Sequence, residues 1–305
     1  MAVAQGGRLA GVLFAVLGVL GFSFKAILVK LAYAWDPSLD GITLLALRMI
    51  YSAPMFAAMA WWSSRSTAPI AASDWRMIAA LGFVGYYLSS LLDFIGLQYI
   101  TAALERLTLF LYPTIVVLLS AWWLKKPITR RAVGALVLSY AGIVLAFARE
   151  LHASDPAATL LGGGLVFASA VLYAVYLVAA GPVIARLGSS RFIAFVMLIS
   201  TVFVLAQFAL TRPWAALAAP ARIQWLSLTM AVFSTVVPTW LIAEAIRRIG
   251  ASQSSLVGSL GPVFTIGLGA IILGEPTYPL QLVGAALVLA GVMLVSARPA
   301  PRARP

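Results

Sequence analysis

The sequence consists of successive apolar runs of about 20 residues, which begin at Leu9 and recur to the C-terminal end. As an α-helix, each run would cross the ~30 Å hydrocarbon core of a bilayer. Only 10% of the 305 residues are charged and 63% are hydrophobic, whereas a soluble domain usually has about a quarter of its residues charged. Strands of a membrane barrel would be about 10 residues long and alternate in polarity, unlike these runs. The sequence therefore predicts an all-α polytopic membrane protein.

Polar connectors divide the apolar runs into ten predicted transmembrane helices. The connectors include "DPSLD", "KKPITRR", "RLGSSR" and "GEPTYP", whose prolines, glycines and charges are typical of helix ends. Only "QYIT" separates the third run from the fourth, which makes this boundary the least marked. The predicted helices cover residues 9–33, 41–62, 76–98, 102–123, 130–148, 160–181, 191–211, 223–246, 251–273 and 279–297.

The basic residues orient these ten helices. With a cytoplasmic N-terminus, 14 of the 21 basic residues fall on the cytoplasmic side, and the outer loops keep only Arg149, Arg212 and Arg222. This bias follows the positive-inside rule. It predicts a multi-pass protein of the cell inner (plasma) membrane with both termini in the cytoplasm. The net charge of +12 is then explained by the anionic inner leaflet, with no basic domain or tail for a nucleic acid. The cytoplasmic set is Arg8, Arg65, Arg76, Lys125, Lys126, Arg130, Arg131, Arg186, Arg191, Arg247, Arg248, Arg298, Arg302 and Arg304.

An internal repeat relates the two halves of the chain at an offset of 149 residues. Pro113 in "LFLYPTIVV" matches Pro262 in "GSLGPVFTI" at this offset, and further matches join "KP" to "EP" and "AG" to "AG". The repeat predicts two halves, residues 1–150 and 151–305, with five helices each. Because five is odd, the second half would lie inverted in the membrane. Inverted repeats are common in secondary transporters, where the substrate site lies between the halves, although channels and membrane enzymes can also be repeated.

Three stretches resemble the paired modules of the EamA family, which belongs to the drug/metabolite transporter (DMT) superfamily. They are "GFSFKAILVKLAY", "LDFIGLQYITAALERLTLFLYPTIVVLLS" and "PTWLIAEAIRRIGASQSSLVGSLGPVFTIGLGAIILGEP". Within this family the sequence is most similar to bacterial amino-acid exporters of the YddG type. The resemblance implies two EamA-type repeats of five helices around a central cavity, and export of small metabolites. The first half departs from the family pattern, because Lys126 stands where the acid of the "GEP" ending would be.

Five charged residues of the first half interrupt its apolar runs: Lys25, Arg48, Asp93, Glu105 and Arg106. In the predicted orientation all five lie in the outer half of the membrane. A charge facing lipid at the centre costs at least about 2.5 kcal/mol, so these side chains should face inward and pair. Three cations and two carboxylates leave one formal positive charge.

Two interpretations of this charge cluster remain open, and a third concerns one member. The cluster is either a structural ion-pair network or an outer gate and substrate anchor. In the second case, Arg106 and Lys25 would attract a substrate carboxylate, and Asp93 or Glu105 would accept an ammonium group. Proton coupling is the third role, for which Asp93 is the better candidate, because Arg106 beside Glu105 should keep that carboxylate ionised.

Aromatic residues and prolines supply the other candidate site residues. We expect Tyr86, Tyr112 and Tyr173 to line the cavity, because a hydroxyl in mid-membrane needs a partner, although many membrane tyrosines and tryptophans are interfacial anchors. Trp240 is a further substrate-binding or gating candidate. The three helix-interrupting prolines should kink their helices and free backbone carbonyls for substrate or gating; they are Pro113, Pro238 and Pro262.

Residue types exclude most enzymes and cofactors. The chain has no cysteine and one histidine, His152, in a polar connector, so a metal or thiolate site is not expected. No phosphate-binding GxxxxGK[ST] segment occurs. The residues thus favour a cofactor-free secondary transporter that works by alternating access, expected as a monomer, over a membrane enzyme. The family resemblance implies export of small metabolites, with amino acids, including aromatic or other apolar ones, as the favoured substrates. A drug, nucleoside or sugar-type solute, or a channel function, is the alternative. The expected partners are the small-molecule substrate and the lipid bilayer.

Overall fold

The computed structural model of the chain describes residues 2–65, 69–123, 125, 127–153 and 155–296. No β-strand occurs in these ranges, so the predicted all-α class is confirmed. Several basic residues used to predict the orientation lie outside the described ranges: Lys126, Arg298, Arg302 and Arg304.

The α-helices of the described residues follow one another with short connectors. They are α1 (Ala2–Trp35), α2 (Gly41–Ser64), α3 (Ala72–Gly82), α4 (Ser89–Gly96), α5 (Ala102–Leu109), α6 (Tyr112–Trp123), α7 (Arg130–Ala153), α8 (Pro156–Leu187), α9 (Ser189–Thr211), α10 (Ala221–Ala231), α11 (Val237–Gly258), α12 (Gly261–Leu268) and α13 (Pro279–Ser296). Helical turns of π type extend α3, α10 and α12, and a 3-10 turn follows α9. These turns cover Phe83–Leu88, Val232–Val236, Gly269–Leu273 and Trp214–Leu217.

Eight helices in the described part of the chain are long and apolar enough to cross a membrane. They match the first eight predicted spans to within a turn or two at each end. The last two predicted spans correspond to two shorter apolar helices, so ten crossings stay a prediction. The eight cover Leu9–Trp35, Gly41–Ser64, Ala72–Gly96, Ala102–Trp123, Arg130–Ala148, Pro156–Leu187, Ser189–Thr211 and Ala221–Ile249, and the shorter two cover Gly261–Leu273 and Pro279–Leu294.

Polar side chains cap the N-termini of several helices by accepting hydrogen bonds from the first backbone N–H groups. Asp40 accepts from two backbone N–H groups of α2, and Asp155 accepts from one of α8. The connector between α4 and α5 was the least marked in the sequence. It is present, and Thr101 caps α5 by accepting from the Leu104 N–H. The Glu275 carboxylate, which follows α12, also accepts from the first two N–H groups of α5, at 2.9 and 3.4 Å. An anion is favourable there because a helix N-terminus carries a partial positive charge.

All three prolines predicted to kink helices lie in the first turn of a helical segment. Pro113 is the second residue of α6, Pro238 of α11 and Pro262 of α12. For Pro113 and Pro262, which follow turns, this position suits proline, because its missing N–H would have no partner in the first turn; Pro238 follows the π turn without a break in the helix. The interruption of each span precedes the proline: turns at 110–111 and 259–260, and the π turn before α11.

The bounds of several elements recur at the offset of 149 residues found in the sequence. The helices α3 and α10 begin at residues 72 and 221, and the π turns after them begin at 83 and 232. Breaks at 110–111 and 259–260 follow the same offset, as do the starts of α7 and α13 at 130 and 279.

Contacts with α1 show that the chain turns back between Ile249 and Gly261, in the last part of α11 or just after it. Pro238, at the start of α11, packs on Gly21, and Ile249 packs on Gly11. Between these two contacts, α11 passes ten residues of α1 in the direction of the N-terminal end of α1. At the start of α12, however, the first backbone carbonyl accepts a hydrogen bond from Ser23 Oγ at 3.1 Å. The chain therefore returns by about 18 Å along α1, at ~1.5 Å per helical residue. The boundary predicted between residues 246 and 251 lies inside α11, which ends at Gly258, and the next helix begins at Gly261.

Candidate functional site

A cavity of about 630 Å³ lies among the helices. Its wall is built from α1, α2, α4, α5, α6, α8, α9, α11, α13 and two of the π turns. Most of the predicted site residues line it, and Glu105, Trp240, Pro238 and Pro262 do not. Those that line it are Lys25, Tyr86, Asp93, Arg106, Tyr112, Pro113 and Tyr173.

An ion-pair cluster of one cation and two carboxylates occupies one part of the wall. Lys25 Nζ lies 2.5 Å from Asp93 Oδ2 and 3.0 Å from Glu105 Oε1. Glu105 is fully buried behind the wall, and its contact with Lys25 lacks hydrogen-bond geometry. Asp93 lines the cavity, and its second oxygen, Oδ1, is buried without a hydrogen-bond partner among the described residues. The cluster thus carries one formal excess negative charge. Three of its carboxylate oxygens, Asp93 Oδ1 and both of Glu105, have no hydrogen-bond partner among the described residues, and of the two side chains only Asp93 lines the cavity.

Arg48 was named in the charge analysis but was not a predicted site residue, and it lines the cavity from α2. Its side chain is 6% exposed and lies over the Phe94 ring, 4.8 Å from the centroid. The Nη2 atom of Arg48 lies 3.8 Å from the sulfur of Met49, which is a weak acceptor. The Nε atom has no hydrogen-bond partner, and no carboxylate lies within 4 Å among the residues described. The signal for this site residue was present in the sequence, as a lone cation in the run "LLALRMIY".

Arg106 also lines the cavity without an ion pair to any described carboxylate within 4 Å. The predicted network of Lys25, Asp93, Glu105 and Arg106 therefore contains three linked members, with Arg106 apart from them. The guanidinium of Arg106 packs closely on the backbone of Gly261, where an added Cβ would lie 2.7 Å from Nη2. Its Nε is buried without a hydrogen-bond partner among the residues that the structure describes.

A series of tyrosine rings connects the surroundings of the two arginines. The Tyr86 ring contacts that of Tyr176 at 5.1 Å between centroids, and Tyr176 stacks on Tyr173 at 5.6 Å. Tyr173 in turn contacts Tyr112 at 5.3 Å. Tyr176 was not predicted as a site residue, although it follows Tyr173 by one helical turn. Its ring lies against Gly85, where any side chain would collide with it.

Trp240 lies outside the cavity, contrary to its proposed place in the substrate site. Its side chain is 55% exposed, and its ring meets the Phe14 ring at 6.0 Å. The neighbouring Thr239 and the nearby Ile242 line the cavity instead. Successive residues of a helix point about 100° apart; here Thr239 faces the cavity and Trp240 faces away from it.

Further hydroxyl groups line the cavity, and no sequence signal identified them. Ser89 and Ser169 hydrogen bond to each other through their Oγ atoms at 2.9 Å and join α4 to α8. Ser234 and Thr235 contribute from the second π turn. Serines and threonines are frequent in membrane helices as packing residues, so their positions alone did not distinguish a site.

The cavity is charged at one end and apolar at the other. Val19, Phe22 and Lys25 follow one another along one face of α1, and all three line the cavity. Lys25 lies toward the C-terminal end of α1. Toward the N-terminal end, the wall is completed by apolar side chains such as Ile246.

The charges belong to the first half, although both halves contribute to the wall. At the offset of 149 residues, Asp93 corresponds to Ile242 and Arg48 to Met197, and all four line the cavity. Glu105 corresponds to Ser254, which also lines it. The described residues contain no group of three or more His, Cys, Asp or Glu side chains that could hold a metal ion.

The sequence matches the EamA-like transporter family twice, over residues 9–148 and 160–297. It is 30% identical to the uncharacterized transporter YcbK of Bacillus subtilis, over 90% of this chain and 89% of that protein. It is also 30% identical to a probable terminal-alkyne amino-acid exporter of Streptantibioticus cattleyicolor, over 76% of this chain and 77% of that protein. One solved structure shares the fold, with a TM-score of 0.63 over 94% of this chain and 97% of its own, at 19% identity.

Proposed function

Because this chain belongs to the EamA-like transporter family, we propose that it is a secondary transporter that exports amino acids by alternating access. It is a multi-pass membrane protein of a transporter family, and the cavity offers a site for a small solute. The probable exporter of Streptantibioticus cattleyicolor supports amino acids as the substrate class.

The proposed architecture has ten membrane crossings in two inverted five-helix repeats, residues 1–150 and 151–305. The recurrence of helix bounds at 149 residues supports it, as do the two segments of the family match. The return of the chain after Ile249 supports a separate ninth crossing. The bias of basic residues supports cytoplasmic termini and a location in the cell inner membrane.

The observation that carries the substrate proposal is the presence of free groups of both charges in one cavity. Asp93 Oδ1 is an unpartnered acceptor, and the Arg106 guanidinium has no carboxylate partner among the described residues. A zwitterionic amino acid would satisfy both, with its ammonium at Asp93 and its carboxylate at Arg106. Charge-assisted hydrogen bonds of this kind are the strongest available to a neutral zwitterion.

The tyrosines would hold the body of the substrate. Tyr112 and Tyr173 line the cavity beside Arg106 and present both an aromatic face and a hydroxyl. Such groups accept an apolar or aromatic side chain at low cost in conformational entropy. Lys25 and Glu105 would act through Asp93, because they fix the position of its carboxylate.

The direct test is uptake into liposomes that contain the purified protein. The panel comprises labelled amino acids, nucleosides and sugars, with and without a pH gradient. We expect uptake of amino acids, and reduced uptake in the Tyr112→Ala and Tyr173→Ala variants. Trp240→Ala is the matched control, because this exposed aromatic residue lies outside the cavity. Uptake of nucleosides or sugars without uptake of any amino acid would contradict the proposed substrate class.

A further inference from the structure

We infer that Arg48 and Arg106 together bind the anionic groups of the substrate, and that the preferred substrate is an amino acid with a second carboxylate. The inference rests on the proposed amino-acid transport and adds a binding residue and a net charge to it. Arg106 would take one carboxylate, Arg48 the other, and Asp93 the ammonium group.

The Arg48 side chain is a buried guanidinium without a carboxylate within 4 Å among the described residues. A guanidinium carries five N–H donors and remains charged in proteins. Arg48 is almost fully buried, with a methionine sulfur and the Phe94 ring against it and the cavity beside it, and Asp93 acts on it electrostatically from beyond 4 Å. A buried charge without a hydrogen-bonded counterion is costly. Because Arg48 lines the cavity, an anion bound there could pair with its guanidinium.

Arg48 differs from Lys25 in its lack of a carboxylate partner within 4 Å. Lys25 is also a buried cation in the cavity wall, but two carboxylates already neutralise it. It therefore has little affinity left for a substrate carboxylate. Arg48 and Arg106 have no such partner in the described part of the chain. A planar guanidinium also binds a carboxylate through two parallel hydrogen bonds, which an ammonium group cannot do.

The charged side chains in and behind the cavity wall also carry a formal excess of positive charge. Three cations and two carboxylates, all in or directly behind the wall, leave one positive charge. A zwitterion would leave that charge uncompensated in a medium of low polarity. A substrate with one net negative charge would neutralise it. An amino acid with an acidic side chain has this net charge and also supplies the ammonium group for Asp93 Oδ1.

The experiment compares binding of two amino acids that have nearly the same shape and differ by one charge. Labelled L-aspartate and L-asparagine, and then L-glutamate and L-glutamine, are bound to purified wild-type protein in detergent. We expect tighter binding of the acidic member, on the order of tenfold or more, because one additional charge-assisted pair forms with a buried guanidinium. Equal or tighter binding of the amides would overturn the inference, and this comparison needs no variant.

Variants of Arg48 assign the preference to its side chain. Arg48→Met places at this position the residue that occupies the equivalent place in the second half, Met197, which lines the same cavity. We expect it to lose the preference for L-aspartate over L-asparagine, whereas Arg48→Lys keeps the charge and part of the preference. An undiminished preference in Arg48→Met would overturn the role of Arg48. If that variant does not fold, Arg48→Gln serves in its place.

The outcomes separate this inference from the proposed function. Transport of neutral amino acids, with no preference for acidic ones, would leave amino-acid export standing and would refute the anion site. Failure to bind any of the four amino acids would refute the inference, and only uptake of other amino acids in the panel would then retain the proposed function.

Discussion

Lys25→Met should be the most destabilising single substitution in the cavity wall. The Lys25 ammonium is shared by two carboxylates, at 2.5 Å from Asp93 and 3.0 Å from Glu105, and Glu105 is fully buried. Removal of one partner from a buried ion pair typically costs about 3–5 kcal/mol, because the other charge stays unpaired. Here two buried carboxylates would lose their shared cation, so we expect a cost within that range, reduced where one of them takes up a proton.

Glu105→Gln provides the matched comparison, because it removes a negative charge from the cluster, whereas Lys25→Met removes the positive one. The cluster holds one cation and two carboxylates, so neutralising Glu105 leaves a balanced Lys25–Asp93 pair. The remaining pair needs no further counterion, and the cost of the substitution should stay below about 1 kcal/mol. The two variants remove charges that lie 3.0 Å apart, yet their effects on the free energy of unfolding should differ severalfold.

Thermal unfolding of the purified variants in detergent, followed by tryptophan fluorescence, tests this order. Arg247→Met is the control, because this side chain is 71% exposed and pairs only with Glu244 on the same helix. We expect Lys25→Met to melt well below wild type, and Glu105→Gln and Arg247→Met to melt close to it. Equal destabilisation by Lys25→Met and Glu105→Gln would refute the shared-cation argument. Substrate affinity on the same samples then shows whether the cluster is structural only or also contributes to binding.

Other predictions follow from the packing, the caps and the proposed topology. Gly261→Ala should weaken substrate binding with little loss of folded protein, because its methyl group would displace the Arg106 guanidinium; unchanged affinity would contradict this. Glu275→Ala should lower the free energy of unfolding by about 1 kcal/mol through loss of the α5 cap, measurable by thermal unfolding. Burial raises the pKa of Asp40, but hydrogen bonds from Arg212 and Thr43 outweigh it and hold the pKa below its ordinary value. The stability that Asp40 contributes should therefore be present above about pH 4 and be lost as the pH falls further, and Asp40→Asn should remove this dependence. A reporter fused to the C-terminus should be active in the cytoplasm only, and periplasmic activity would contradict the proposed topology.

The helices could be predicted because the bilayer imposes a length and a polarity on each of them. Runs of apolar residues ended by proline, glycine and charge gave eight spans that the structure contains. The internal offset of 149 residues was visible in prolines and glycines, and it recurs in the bounds of the elements. The π turns could not be predicted, because one additional residue in a helical turn leaves no mark on an apolar run. The same is true of the break at 110–111, before Pro113.

The sequence predicted how deep in the membrane each site residue lies, but not the direction in which its side chain points. Depth along a helix follows from residue number, so Lys25, Asp93 and Glu105 were expected at one level, and the structure joins them. Direction depends on the rotation of each helix against its neighbours, which a single sequence does not contain. Glu105 and Arg106 are adjacent and therefore point about 100° apart. Glu105 lies behind the wall and contacts Lys25, whereas Arg106 lies in the wall against Gly261 and takes no part in the ion-pair cluster.

The confinement of charge to one half has a consequence for the energetics of a transport cycle. If two inverted repeats were identical, exchanging their conformations would convert the inward-open state into the outward-open state at no change in free energy. Here Asp93 and Arg48 have Ile242 and Met197 as their counterparts, so in the proposed arrangement this degeneracy is lifted. One state is then the ground state, and the ratio of the two populations depends on the difference between these paired positions. Substitutions at Ile242 or Met197 would shift this resting equilibrium even where they leave the groups that hold the substrate intact.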